Sequence, residues 1–440
     1  MAEVASERLN YLSKKQRAVS SRASRQIIPC SNGVTFNAGQ TARIDLAGNQ
    51  MATYLDFQDS YLKFTLNNGD DAPILLESAY ALIDRLEILC DGATVSSIAN
   101  YGACVHSYLD SEVGADWKDG LGRGLAGTSY NADTLTQVAN GGAKTFCIPL
   151  CLTPLFQSNK YWPMMSRSTL SIRITWASAV KGTIGGATDA ELTINPCEFI
   201  GSFVRLSAEA NAMVMANTQG RFEIITSDIR TAEGNVSTND TVLNLNCGFS
   251  FSSLDRVSFG FYPTLTSAAR TSVSNRGSSD LTEFSISVNG EEHPRRRIQV
   301  SSTNIAETFA ELAVAHRSLA DFNHQSSIDP YHIDTSSTTA FPAFTNRFYV
   351  SNPSGEAGTA AIANYEGNTG KALFMIDTES MKPHADPDAI YSGLSTLGSV
   401  VQLVGVFDGA PANCTVLVYA QYTLAMTLDM AGSQTWVVSI

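Results

Sequence analysis

Apolar side chains return at every second position along most of this chain, and at every third or fourth position in only two places. Leu62, Phe64 and Leu66 alternate with Lys63 and Thr65, and Leu170, Ile172, Ile174 and Trp176 alternate with Ser171, Arg173 and Thr175. Period 2 of this kind marks a strand with one buried face. Between these strands runs a denser unit. Leu82, Leu86, Ile88 and Cys90 fall on one strand face, Asp91-Gly92 supplies a tight turn, and Val95 and Ile98 begin the return. The period then changes to 3.6: Tyr101, Cys104, Val105, Tyr108 and Leu109 form one stripe of a short helix.

The same order returns downstream. Phe284, Ile286 and Val288 alternate, Asn289-Gly290 makes the turn, and Ile298 and Val300 lie on the return. Ile305, Phe309, Leu312, Ala313 and His316 form a second helical stripe, with Asn304 as its expected N-cap and Glu307 as the capping-box partner. Gly92 and Gly290 stand 198 residues apart. A repeat at domain-sized spacing indicates a duplicated domain.

The flanks agree. Val34 with Phe36, and Ile44 with Leu46, open the first half, while Phe222 with Ile224, then Leu243 with Leu245, open the second. Val257, Phe259 and Phe261 occupy the place of Leu62, Phe64 and Leu66. Lys371-Ala-Leu-Phe-Met-Ile376 echoes Lys144-Thr-Phe-Cys-Ile-Pro149. Phe64 and Phe259 are expected in the sandwich interiors. About eight short strands per half, one helix each and long loops describe an all-β protein of two tandem eight-stranded jelly-roll β-sandwiches. The expected division is a basic arm over 1–26, a first jelly roll over 27–212 and a second over 213–440, with the hinge near Ser207–Gln219. Gly-, Ala-, Ser- and Asn-rich loops are expected at 111–143, 318–345 and 351–370, lengths that point to interfaces.

Composition sharpens this picture. The chain of 440 residues is 44% hydrophobic and only 16% charged, below the usual quarter. That suits a protein that hides surface against copies of itself. The net charge of −13 argues against a general nucleic-acid-binding surface. Residues 1–26 differ: Arg8, Lys14, Lys15, Arg17, Arg22 and Arg25 face only Glu3 and Glu7, a local +4 that leaves −17 for the remainder. They read as an extended or partly helical arm for an inner surface, or as a solvated terminus. Pro294-Arg-Arg-Arg297 is read as a basic run between the second turn and its return strand.

Catalytic chemistry is not evident. The six histidines form no HExxH and no short metal pair. The eight cysteines show no CxxC and read as buried thiols. Gly367-Asn-Thr-Gly370-Lys371 lacks the spacing of a phosphate loop. Asn235, Asn239 and Asn413 match the glycan acceptor pattern. Met1 is followed by polar and charged residues, unlike a secretory leader, and no apolar run nears the roughly 20 residues of a membrane span. No cofactor, metal site or enzymatic activity is expected.

Tyr61-Leu-Lys-Phe-Thr-Leu66, Leu86-Glu-Ile-Leu-Cys-Asp-Gly92 with its helix to Asp110, and Leu170-Ser-Ile-Arg-Ile-Thr-Trp176 carry a resemblance. Over roughly 30–440 the chain resembles the double-jelly-roll major capsid proteins of tailless icosahedral DNA viruses, the group of polinton-like viruses, virophages and membrane-containing phages. The resemblance implies a structural capsid protein forming homotrimers, in which six jelly rolls make a pseudo-hexagonal block that tiles a virion shell. It further implies neighbouring trimers, penton and minor capsid proteins as partners, and an arm facing inward toward a membrane or genome. Production would be in the host cytoplasm or nucleus. The alternative is a jelly-roll module binding carbohydrate or a receptor, for which Tyr161-Trp162 is the best aromatic candidate, although it flanks the packed corner Pro163-Met-Met165.

Overall fold

A computed structural model describes residues 21–440, apart from 70–72, 130–134, 185–187, 264–275, 301–303, 320–325, 329–370, 381–391 and positions 278, 317, 409, 410, 412, 431, 433 and 440. The first half is built from β1 (Ser21–Pro29), β2 (Thr41–Leu46), β3 (Thr53–Asn68), β4 (Ile83–Cys90), β5 (Ala93–Ala99), β6 (Ala143–Ile148), β7 (Leu170–Trp176) and β8 (Leu192–Leu206), with helix α1 (Tyr101–Glu112) after β5. Helix α2 (Ala208–Thr218) leads into the second half. There follow β9 (Arg221–Val236), β10 (Val242–Asn246), β11 (Leu254–Pro263), β12 (Leu281–Val288), β13 (Glu291–Gln299), helix α3 (Ile305–Ala315), β14 (Phe374–Asp377), β15 (Val401–Phe407) and β16 (Cys414–Asp429).

The strand orders of the two halves coincide. One sheet runs β1–β8–β3–β6 in the first half and β9–β16–β11–β14 in the second; the facing sheet runs β2–β7–β4–β5 and β10–β15–β12–β13. Every pairing is antiparallel. Each half is therefore a jelly roll of two facing sheets sharing a common set of four strands each, the larger sheet being extended by Phe36–Asn37 and Trp162–Pro163 in the first half and by Trp436–Ser439 in the second; the expected duplication is real at the level of strand order. Both hairpins turn as the sequence requires: Asp91 and Gly92 have φ of 51° and 83°, Asn289 and Gly290 of 52° and 87°. Two successive positive φ values match the right-handed twist of the flanking strands.

Alternation fills both cores. Phe64 is fully buried, with ring centroids 5.7 Å from Phe146 and 5.0 Å from Trp176. Phe259 is fully buried at 5.2 Å from both Phe284 and Phe374. The cross-strand registers agree too. Phe64 lies opposite Phe146 on β6 and Cys197 on β8; Phe259 lies opposite Phe374 on β14 and Val418 on β16.

Several expectations are corrected. Residues 21–26, read as the end of the arm, belong to a strand, β1 (Ser21–Pro29), paired along its length with β8. Its only large apolar residues are Ile27 and Ile28, so no alternation announces it; pairing with an already formed neighbour supplies its order. Phe36 belongs to a two-residue strand, and Val34 is 67% exposed. The expected loop at 111–143 contains short helical turns at Ala115–Trp117, Lys118–Gly122 and Arg123–Ala126 and a strand at Thr136–Val138. Asn304 makes no side-chain cap on α3; its amide donates instead to Glu307 Oε2 at 2.6 Å. The arginine run lies inside β13, where Arg297 reaches Glu283 and Glu292, each at 2.7 Å. The segment Ser207–Gln219, expected as the hinge, is α2 with its two caps. The loops at 318–345 and 351–370, and Gly367–Gly370, lie almost wholly outside the described residues.

Candidate assembly surfaces

Helix α1 sits where the two sandwiches meet. Asn100, at φ 49°, turns the chain out of β5. Gly102 then lets the helix lie against the turn Ala79–Leu82: a Cβ there would come 2.7 Å from the Tyr80 carbonyl oxygen and 2.8 Å from Ala81 Cα. The expected apolar stripe is only one of its buried faces. Gly102 and His106 are buried against the Ser78–Leu82 segment, and Ser107 and Asp110 are buried where the second half closes over the other side.

That closure is polar. Asp110 Oδ2 accepts from Arg276 Nη2 at 2.5 Å, Lys118 Nζ donates to Oδ1, and Lys371 Nζ stands 3.9 Å from Oδ1. All four side chains are at least 93% buried. Burial alone would raise the Asp110 carboxyl, but Lys118, Arg276 and Lys371 outweigh it and hold it well below the usual carboxylate range. Burial pushes Lys371 down to about 8 against the attraction of Asp110. The Asp110 carbonyl accepts from Ser327 N at 2.8 Å. Ser107 and Tyr262 share a hydrogen bond of 2.9 Å, and Tyr262 and Tyr419 one of 3.1 Å. His106, read as a packing residue, is buried 2.7 Å from Ser78 Oγ, and burial pushes it down to about 3.

The strand before α1 adds a second polar contact. Ser96 donates to Asp228 Oδ1 at 2.7 Å, and Tyr422 donates to Oδ2 at 2.8 Å. Burial pushes the Asp228 carboxyl up to about 6 against these bonds. Beside it, Thr231 Oγ1 accepts from Ala99 N at 3.2 Å, and Glu233 accepts from Asn100 at 3.2 Å. At the other end of the seam, Trp436 stacks on Trp162 at 4.1 Å, and Arg167 N donates to the Gln434 carbonyl at 3.0 Å. Trp162 is thus a packing residue, and Tyr161 alone, 54% exposed, is presented to solvent.

The end of the molecule around α2 has a different character. No residue of α2 is buried. Met213 on it is 67% exposed, and Met51 and Val437 nearby are 69% and 56% exposed. The segments converge through Tyr54 Oη to Asn211 at 3.0 Å and Met430 N to the Gly220 carbonyl at 2.9 Å. Arg22, Arg167, Arg205 and Arg221 are exposed there, alongside Glu209, Glu223 and Asp429. Of the basic residues singled out in the sequence, Arg22 and Arg25 lie exposed on β1, while Arg8, Lys14, Lys15 and Arg17 lie outside the described residues. Among the described residues, no group of three or more side chains is placed to hold a metal ion, and no helix is long and apolar enough to cross a membrane.

Sequence reasoning missed Asp110, Lys118, Arg276, Lys371 and Asp228. Their partners lie 8 to 261 positions away in the chain; Asp110 stood at the end of the helix singled out beforehand and Lys371 at the start of a strand echo, neither with a charged partner assigned. Charged residues at apolar-stripe boundaries look solvated until a second domain covers them.

No protein-family model matches the chain, and no curated protein does. Solved structures do. The crystal structure of VP54 from PBCV-1, fitted into a reconstruction of the virophage Sputnik, matches with a TM-score of 0.60 at 10% identity, over 97% of this chain and 98% of that one. The cryo-EM structure of the Sputnik virophage gives 0.59 at 10% identity over 100% and 93%. The Faustovirus major capsid protein gives 0.53 at 7% identity over 94% and 91%. The chain shares the double-jelly-roll fold with these proteins along nearly its whole length.

Proposed function

We propose that this chain is a structural subunit of an icosahedral virion shell, working as a homotrimer whose six jelly rolls form a pseudo-hexagonal block. The carrying observation is that the fold matches solved capsid structures over 94–100% of this chain and 91–98% of theirs. The seam supports a rigid block. Asp110 and Asp228 join elements of both halves through buried polar bonds, and a buried charge left unpaired by separation would be costly. Partners on this reading are neighbouring trimers, penton proteins and minor capsid proteins.

The α2 end, with Arg22 at the start of β1 and Arg8, Lys14, Lys15 and Arg17 preceding it, is the proposed inner surface, toward lipid headgroups or genome phosphates. Each exposed Lys or Arg near an anionic membrane contributes about 1 kcal/mol. Removing residues 2–20, short of β1, is expected to leave trimers folded and to impair shell assembly; normal particles from the truncated chain would remove the arm from this role.

Negative-stain imaging of the purified protein tests the whole reading. Six-lobed blocks, singly or in hexagonal sheets, are expected. A field of isolated two-lobed particles would favour the receptor- or carbohydrate-binding alternative.

A further inference from the structure

Two thiols meet where β1 ends. The strand lies at the edge of its sheet beside β8, and eight of its nine residues are exposed. The register that sets Ile28 against Phe199 and Pro29 against Glu198 brings Cys30 opposite Cys197 one step further on. The Cys30 thiol donates to the Cys197 carbonyl oxygen at 3.3 Å. The next residue is fixed in turn, since Ser31 N donates to the Arg43 carbonyl at 2.7 Å. Both cysteines are free thiols. Cys197 is buried in the first core with Phe199, while Cys30 is half-buried at its margin. The neighbouring Cys30 thiol and burial together push the Cys197 thiol up.

The second half shows the same place without sulfur. Cys197 is the β8 partner of Phe64, and Val418 is the β16 partner of Phe259. Ala232 on β9 faces Val418. An alanine and a valine therefore stand where the first half has its two thiols. β9 has other holds: it pairs over sixteen residues, and Asp228, Thr231 and Glu233 tie it to the first half. β1 pairs over nine. The strand with the shorter hold is the one that carries a pair able to be cross-linked.

We infer that Cys30 and Cys197 are a modification site that closes to a disulfide by exchange with a low-molecular-weight disulfide such as oxidised glutathione, pinning the end of β1 to β8. Residues directly opposite on antiparallel strands have Cα atoms about 4.5–5.5 Å apart, inside the range of about 4.4–6.8 Å that a disulfide spans. The Cys30 thiolate attacks one sulfur of the small disulfide and expels one small thiolate, leaving a mixed disulfide on Cys30. Cys197 then gives its proton to solvent as its sulfur attacks Cys30 Sγ, and the second small thiolate leaves. Two protein thiols are oxidised, one small disulfide is reduced to two thiols, and no other reactant is needed. The pair stays open where glutathione keeps thiols reduced and closes in an oxidising medium. The bridge joins residues 167 positions apart, so it restricts the unfolded chain strongly. One copy of the chain suffices, which makes the inference independent of the trimer reading.

Thiol counting and peptide mapping of the full folded chain test it, after equilibration with oxidised glutathione at neutral pH and alkylation of the thiols that remain. The eight thiols are expected to fall by two, with no glutathione retained and with the Cys30 and Cys197 peptides joined in a non-reducing digest. The oxidised chain is expected to melt at a higher temperature than the reduced one. That difference should vanish in Cys30→Ser, a change at a half-buried site that leaves the core in place. Eight thiols retained, glutathione held on Cys30 without closure, or a link between other cysteines in place of this one would overturn the inference. So would a bridge that leaves the melting temperature where it was, because β1 would then not be pinned.

Discussion

Asp110 shows how one carboxylate can hold two domains together. It lies on α1 of the first sandwich and binds Arg276 and Lys371 of the second. Asp110→Asn would leave three buried cations short of their counter-charge, and removing one member of a buried ion pair costs about 3–5 kcal/mol. Because the folded carboxyl sits below its ordinary value of 3.8, its contribution is complete above that pH and is lost as pH falls below it. Denaturant unfolding of wild type and Asp110→Asn should therefore differ by a constant amount near neutrality and converge in acid. Asp228 has the opposite sign. Burial raises it from 3.8 to about 6, so the folded state binds the extra proton across that window and loses stability as pH rises through it. Asp228→Asn cannot ionise and can still bond Ser96 and Tyr422. It should gain on the wild type between pH 4 and 6, then hold a constant advantage of about 1–3 kcal/mol. An advantage that does not vary with pH would mean Asp228 is not the titrating group.

At the scale of elements, legibility followed burial on one face. β3 and β7 alternate because each has one side in a sandwich, and Asx-Gly turns fix the two hairpins. Phe64→Ala and Phe259→Ala should each cost about 3–5 kcal/mol in thermal melting, as large-to-small core changes do; no shift for either would mean the strand phase is wrong. β1 was unreadable because an edge strand whose residues are nearly all exposed needs no apolar alternation. The all-round burial of α1 was equally hidden, since Tyr262 and Arg276, which bond Ser107 and Asp110, lie more than a hundred positions away. Asn304 was misread because a capping pattern specifies a residue pair, and here Arg296 and the Asn304 side chain both engage Glu307.

The whole molecule is two copies of one sandwich locked by a polar seam. The duplication was visible in sequence because the hairpin and helix grammar survives in both halves. The seam was not, because its members are isolated charges. Low charge, exposed Met51, Met213 and Ile27, and matching strand orders all describe a block with more surface to cover. Light scattering of the full chain at dilute concentration and moderate salt tests this most directly. The expected mass is three times the 47.2 kDa chain, stable on dilution. A stable particle of one chain mass would contradict it.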